Sequence, residues 1–203
     1  MTQRLARAVK PAAGGRSAPD AEIGARIRAR RLASGLSLQE IARRTGCSIG
    51  YLSQVERGLS TASVKFLAAL GDAFGVGLAG FLSPAAETNG AGEVVVRKAL
   101  RGRLGFWRSG IAKELLTPPR GASALNLFTV HIEPGGSTGD EDYRHGGEEG
   151  GYVLDGVLEL SVEGETWRLE AGDSFRFESS RPHRFGNPTD KPTTVLWVNV
   201  TPR

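Results

Sequence analysis

The hydrophobic period changes once along this chain of 203 residues, and that change limits what it can fold into. Up to about residue 82 the apolar residues recur at helical spacing: Ile23, Ile27 and Leu32, then Ile41 and Ala42, then Leu52 and Val55, then Val64, Leu67, Ala68 and Leu70. After residue 92 they alternate with period two, in segments rich in Val, Phe and Trp and punctuated by Gly and Pro. Between the two lies PAAETNGAG at 84–92, a linker composition. The chain reads as a helical region followed by a strand region.

Helix punctuation sets the elements of the first region. Asp20 is placed to cap a first helix and Gly35 to end it. Ser37 with Glu40 three residues on has capping-box spacing for a second helix, ended by Gly46. Ser48 caps a third, which stops at Gly58, and Ser60 or Thr61 starts a fourth that ends near Gly75. Residues 78–82 predict a fifth, one-turn helix. Strands are predicted at 93–98, 111–117, 124–132, 151–155, 157–162, 165–170, 173–177 and 193–200, the many short strands of a sandwich or barrel.

Composition excludes several classes. No apolar run reaches the ~18 residues of a membrane span, so no membrane partner is expected. The single cysteine, Cys47, excludes an internal disulfide framework and a Cys-based zinc finger, and fits a reducing, cytoplasmic setting. The net charge of +4 is unevenly spread. Residues 1–100 carry 14 Lys and Arg against 7 Asp and Glu, and residues 101–203 carry 12 against 15. A +7 half beside a −3 half points to a polyanion as partner of the first half only. Residues 1–19, with four basic residues and no acidic one, read as a disordered basic arm.

Within the helical region, residues 35–58 carry two short capped helices separated by a Gly-containing turn, which is helix-turn-helix geometry. The second of them presents Ser48, Ile49, Gly50, Ser53 and Gln54, a surface of little bulk. Short polar side chains there can approach base edges, and Gln can bond adenine through two hydrogen bonds. On these residues, and above all on GYLSQVERG at 50–58, the chain resembles the Cro/repressor-like (XRE) helix-turn-helix family. The resemblance covers about residues 21–82 and implies a five-helix domain whose 48–57 helix lies in the major groove of operator DNA. It implies a DNA-binding set of Gln39, Ser48, Ile49, Gly50, Tyr51, Ser53, Gln54, Arg57 and Lys65, with Arg57 and Lys65 on phosphates. It also implies a pair between Glu56 and a basic residue of the first helix, here Arg31. Residues 59–63 lack the family's usual Pro. Cys47, just before the third helix, reads as inert packing.

In the strand region His145, Glu149 and His183 are ligand types that suit a divalent transition metal if neighbouring strands bring them together. Tyr143-Arg144-His145, Glu149 and Gly156, followed by Gly172, His183 and Asn187, resemble the two motifs of the cupin family over roughly 105–200. Tyr143 stands where that family's first His is expected, and Ser137 where its leading Gly is. In the second motif Glu178 and Ser180 replace the internal Pro and Gly. The resemblance implies a small jelly-roll barrel with a central pocket. Its site is Tyr143, His145, Glu149 and His183, for an organic effector or, through His145, Glu149 and His183, for a divalent transition metal; no cofactor is certain. Trp107, Trp167 and Trp197 read as core or pocket wall. Residues 139–142 read as a solvated acidic loop at the pocket mouth.

Together the two resemblances imply an α+β two-domain chain: an all-α five-helix domain at 20–83, a linker and first strand at 84–100, and an all-β cupin effector-binding domain at 101–203. The expected function is a sequence-specific transcriptional regulator, not an enzyme, working as a homodimer on double-stranded operator DNA under control of a small-molecule or metal effector. The alternatives are a metal-dependent cupin enzyme of isomerase or dioxygenase type fused to a DNA-binding domain, and an interaction module whose cupin only dimerises.

Overall fold

The structure, a computed structural model, describes residues 18–76, 78–81, 94–106, 109–118 and 124–201. Residues 1–17 of the expected basic arm, Trp107 and the linker at 84–92 lie outside these residues; the arm's last two residues belong to the first helix.

Four α-helices come first: α1 (Ala18–Ala33), α2 (Leu38–Thr45), α3 (Ile49–Glu56) and α4 (Val64–Phe74). In place of a fifth α-helix there is a single 3₁₀ turn, Leu78–Phe81. Three serines set the starts of α2, α3 and α4. Ser37, Ser48 and Ser63 each accept a hydrogen bond from the backbone N–H three residues on, at Glu40, Tyr51 and Phe66. Gly46 and Gly75 end α2 and α4 in the left-handed conformation, where glycine has no Cβ penalty.

Two expected starts move, for one reason. α1 begins at Ala18, so Asp20 sits in its first turn and not at its cap. There its carboxylate accepts a hydrogen bond from Thr61 Oγ1 (3.2 Å). Thr61 is thereby engaged in holding α1, and the cap of α4 falls to Ser63. Leu32 also departs from its expected place, being 59% exposed. It lies five residues from Ile27, which at ~100° per residue takes it off the buried stripe. α1 crosses α3 closely, and a Cβ on Gly24 would stand 2.2 Å from the Val55 carbonyl oxygen. Ile23, Ile27, Ile41, Leu52, Val55, Leu67 and Leu70 fill the interior between these helices.

Nine strands follow: β1 (Arg103–Phe106), β2 (Ile111–Leu115), β3 (Leu125–Ile132), β4 (Glu148–Asp155), β5 (Val157–Val162), β6 (Glu165–Glu170), β7 (Ser174–Glu178), β8 (His183–Gly186) and β9 (Thr193–Val200). They form a six-stranded sheet, β1-β2-β3-β9-β4-β7, and a three-stranded sheet, β6-β5-β8, both antiparallel. The sheets pack face to face, with Phe185 of β8 against Trp197 of β9 at 4.6 Å between ring centroids. Closure into a barrel is not seen among the described residues.

The expected strand at 93–98 is not formed over its described part. Residues 94–97 are irregular and Lys98–Leu100 is a 3₁₀ turn. Val94 is 86% exposed: three consecutive valines favour a strand only where a neighbour can pair with them. Trp167 is 42% exposed on β6 and is neither core nor pocket wall, whereas Trp197 is fully buried. No helix among the described residues is long and apolar enough to cross a membrane.

Candidate functional site

Two surfaces gather the residues singled out from the sequence. The first is the helix pair α2–α3. Gln39, Ser48, Ile49, Gly50, Gln54 and Arg57 are exposed there. Ser53 is half-buried, and its carbonyl accepts a hydrogen bond from Arg57 Nε (3.1 Å). Tyr51 is turned partly inward, where its hydroxyl donates to the Thr61 carbonyl (3.1 Å) and its ring meets the edge of Phe66. The fold makes no demand for glycine at position 50. A Cβ there would meet nothing nearer than Ser48 Oγ at 4.0 Å. Behind this surface Arg31 holds Glu56 through two hydrogen bonds, Nε to Oε1 (2.6 Å) and a terminal nitrogen to Oε2 (2.9 Å), and also donates to the Leu36 carbonyl. The pair fixes α3 to α1.

Lys65 departs from the set. It stands on the first turn of α4 and reaches Glu141 of the strand region, 2.6 Å from Nζ to Oε2. The acidic loop is therefore not simply solvated: Glu141 holds Lys65, and Asp142 accepts from Arg184 of β8 (2.8 Å).

The second surface is a cavity between the inner face of the six-stranded sheet, the loop at 143–146 and α4, which roofs it. Its lining includes Val64, Ala68 and Asp72 of α4 together with Lys113, Asn126, Phe128, Tyr143, His145, Glu149 and Asn199. Asp72 also accepts a hydrogen bond from the Gly146 N–H (3.2 Å), so α4 is tied to the strand region at two points. The space open to water inside is about 30 Å³, room for roughly two water molecules at ~10–15 Å³ each.

Strand alternation explains what faces the cavity. Glu149 and Val153 of β4, Asn126 and Phe128 of β3, and His183 and Phe185 of β8 all point inward. Register places Asn126 opposite Asn199, and Asn199 opposite Glu149, in one row across the large sheet. Tyr143 comes in on a loop bridged to His183, their rings 4.2 Å apart.

His145, Glu149 and His183 come together, with one ligand atom from each within 4.8 Å of the others. His183 Nδ1 lies 2.8 Å from the Arg181 carbonyl, which requires the proton on that nitrogen. Nε2 is then a lone-pair acceptor, and it faces Glu149 Oε2 at 3.7 Å. Both atoms are buried and have no hydrogen-bond partner among the described residues. His145 repeats the pattern. Nδ1 lies 3.1 Å from the Gly146 carbonyl, and Nε2 lies 3.0 Å from Glu149 Oε1. Acceptors turned on one another in a buried site repel, and either a proton on imidazole or a metal cation relieves them. The donor set fits a divalent transition metal. The carbonyl contacts to both Nδ1 atoms are the outer interactions that orient ligating imidazoles.

Electrostatics in the cavity follow from burial against this carboxylate. Burial opposes the His145 charge, yet the hydrogen bond and charge of Glu149 outweigh it, and the His145 pKa is raised. Burial of Glu149 acts to raise its own pKa, but His145, His183 and Lys113 together hold it below the usual carboxylate value. Burial pushes His183 down and Tyr143 well up.

Three cavity residues lie outside the set read from the sequence: Lys113, Asn126 and Asn199. A signal for each was present. Ile111, Lys113 and Leu115 alternate, as do Asn126, Phe128 and Val130, and Val195, Trp197 and Asn199. In each strand a polar residue occupies a place in an apolar, inward series.

A Helix-turn-helix domain model matches residues 22–80 of the chain, and a Cupin domain model matches residues 128–199. The HTH-type transcriptional regulator PuuR of Escherichia coli is 28% identical over 164 residues, covering 81% of this chain and 86% of that protein. The HTH-type transcriptional regulator SutR of the same organism is 26% identical over 153 residues, covering 75% and 80%. Among solved structures, an HTH_3 family transcriptional regulator from Vibrio cholerae superposes with a TM-score of 0.70 over 91% of this chain and 97% of its own, at 21% identity.

Proposed function

We infer that this chain, a helix-turn-helix domain joined to a cupin domain, is a DNA-binding transcriptional regulator whose cupin cavity senses a small molecule or a metal ion and tunes operator binding. The domains we assign are 20–83 for DNA binding and 101–203 for the effector. The observation that carries the reading is Gly50. A glycine in an exposed helix costs roughly 0.5–1 kcal/mol relative to Ala. Packing does not require it here, and a missing side chain beside Ser48 and Gln54 suits close approach of the helix to base edges. In this reading Ile49, Gly50, Ser53 and Gln54 face bases, while Gln39, Ser48 and Arg57 sit at the backbone. Tyr51 supports the helix from behind. A homodimer would read two half-sites ~34 Å apart.

The coupling we propose runs through α4. An occupant larger than about two waters would press on the cavity lining, which includes Val64, Ala68 and Asp72 of the helix docked over it. Docking also occupies Lys65 with Glu141, and one ammonium cannot serve that carboxylate and a DNA phosphate fully at once. An effector that loosens α4 therefore changes operator affinity, and operator DNA changes effector affinity by the same factor. His145, Glu149 and His183 would hold a metal, with Asn199 and the two carbonyls orienting them. We assign no catalytic role, because relatives named as regulators match over most of the chain.

The test is the affinity of the full chain for a DNA fragment from upstream of its own coding sequence, measured against salt. Log affinity falls linearly with log salt, at about −0.9 per phosphate neutralised. A flat dependence, or equal affinity for unrelated DNA, overturns the reading.

A further inference from the structure

Lys113 is 3% exposed, yet among the described residues no ion-pair partner accounts for its burial. It lies on β2 between Ile111 and Leu115, at an inward position of the large sheet. Its ammonium stands 5.5 Å from the ring centroid of Phe185, 5.6 Å from that of Trp197 and 5.9 Å from that of Phe128. Among the described residues it makes no hydrogen bond and no ion pair. Glu149 is the carboxylate whose field it feels, but Glu149 Oε1 is already taken by His145 and by the Asn199 amide. Burial lowers the Lys113 pKa from 10.5 to about 8, with Glu149 acting against that shift, so at neutral pH the group is still mainly a cation. Three ring faces stabilise such a cation without satisfying its three N–H donors.

A buried, charged and unpaired lysine is costly, and replacing it with an apolar side chain would be easy on a β-strand. Its position in the cavity wall with Asn126, near the Trp197 indole, whose N–H is also buried and without a partner among the described residues, gives a use for those donors. With a divalent cation on His145, Glu149 and His183, the charge of Glu149 would be more than neutralised. Lys113 would then add to an excess of positive charge, which a bound anion would balance while keeping the ammonium charged. We propose that Lys113 is the anion-binding residue of this cavity, and that the effector carries a carboxylate, or an oxyanion of similar size, which it presents to the Lys113 ammonium. This inference rests on the reading of the cavity as an effector site and narrows the ligand to one chemical class.

The experiment uses the full-length protein, metal-free and after loading with Co(II), with acetate and oxalate as probes and methylammonium as the cationic control. Elemental analysis gives cobalt per chain, calorimetry gives anion affinity in both forms, and the visible Co(II) spectrum reports an anion reaching the metal. The wild type binds acetate or oxalate and ignores methylammonium. Lys113→Met keeps its cobalt, melts at a higher temperature than the wild type, and binds the anions at least tenfold more weakly. Lys113→Arg recovers part of that affinity. Equal anion affinity in the wild type and Lys113→Met overturns the proposal, as does the absence of anion binding in both. So does a lower melting temperature in Lys113→Met with anion binding unchanged, which would make Lys113 a structural counter-ion of Glu149. If no cobalt binds, the metal reading alone fails, and the metal-free titrations still decide the role of Lys113.

Discussion

Two cations, Arg31 largely covered and Lys113 buried, separate the helical region from the strand region. In the helices Arg31 lies against Glu56 with its donors matched to both carboxylate oxygens and to a backbone carbonyl. In the strands Lys113 lies against three aromatic rings and bonds to nothing among the described residues. The first is complete within the chain. The second becomes complete only with something from outside. The same contrast holds more widely. Helix starts are satisfied by Ser37, Ser48 and Ser63, and most of the candidate DNA-contacting residues are exposed to solvent. In and beside the cavity Glu149 Oε2, His183 Nε2, Trp197 Nε1 and Asn199 Oδ1 are buried without hydrogen-bond partners among the described residues. At about 1–3 kcal/mol for each unsatisfied group, such a cluster costs stability, as the proposed effector site would require.

The strongest way to break this comparison is to take one member from the complete pair. Arg31→Ala leaves Glu56 buried alone and is expected to cost about 3–5 kcal/mol, read as the urea midpoint of the helical CD signal. A loss below ~1 kcal/mol would mean that the pair is a surface ornament and that the contrast with Lys113 is empty.

Lys113→Met is expected to act in the opposite sense. The folded pKa of Lys113 is depressed to about 8 from 10.5, so between those values the unfolded chain holds more protons than the folded one. Stability of the wild type therefore rises as pH goes from about 8 toward 10.5. The depression corresponds to something on the order of 3 kcal/mol at ~1.4 kcal/mol per unit. Lys113→Met lacks that rise and starts from higher stability at pH 7. Thermal melts of both proteins across pH 7–10.5 check it, and parallel curves would mean that Lys113 is not a buried, desolvated cation.

The contrast also explains how much the sequence disclosed. Cap serines, terminating glycines and the 35–58 segment act within a few residues, so α2, α3 and the exposed positions Ser48, Gly50 and Gln54 were legible from the sequence. His145, Glu149 and His183 were legible because ligand-type residues stand out in a strand region. Lys113, Asn126 and Asn199 were not singled out, since their meaning depends on the register joining β2, β3 and β9, which a linear reading lacks. β8 was missed because four residues after Pro182 are too few to show alternation. The predicted strand at 93–98 failed for the converse reason: its valines have strand propensity and no neighbour. The Lys65–Glu141 contact, 76 residues apart, left no trace in either local pattern.

On the DNA-binding side the comparison is sharpened by separating reading from holding. Gln54→Ala is expected to lower discrimination between the operator and single-base variants by about 1–3 kcal/mol. Arg57→Ala is expected to weaken all sequences alike and to reduce the salt slope by about 1. Competition titrations at two salt concentrations distinguish the two, and equal losses of discrimination would undo the division of roles.

The smallest effect is the most pointed. Gly50 lies in the first turn of α3, with open space where a Cβ would go and Ser48 Oγ 4.0 Å away as its nearest neighbour. Gly50→Ala relieves the backbone-entropy cost of glycine in a helix, so the protein should gain roughly 0.5–1 kcal/mol of stability. Were this surface merely solvent-facing, the gain would come with no loss, and alanine would be the better residue. If the helix approaches base edges closely, the added methyl collides with DNA and operator affinity falls while stability rises. A more stable protein with weaker operator binding separates function from fold in one substitution; unchanged operator affinity would move the DNA-reading surface away from the start of α3.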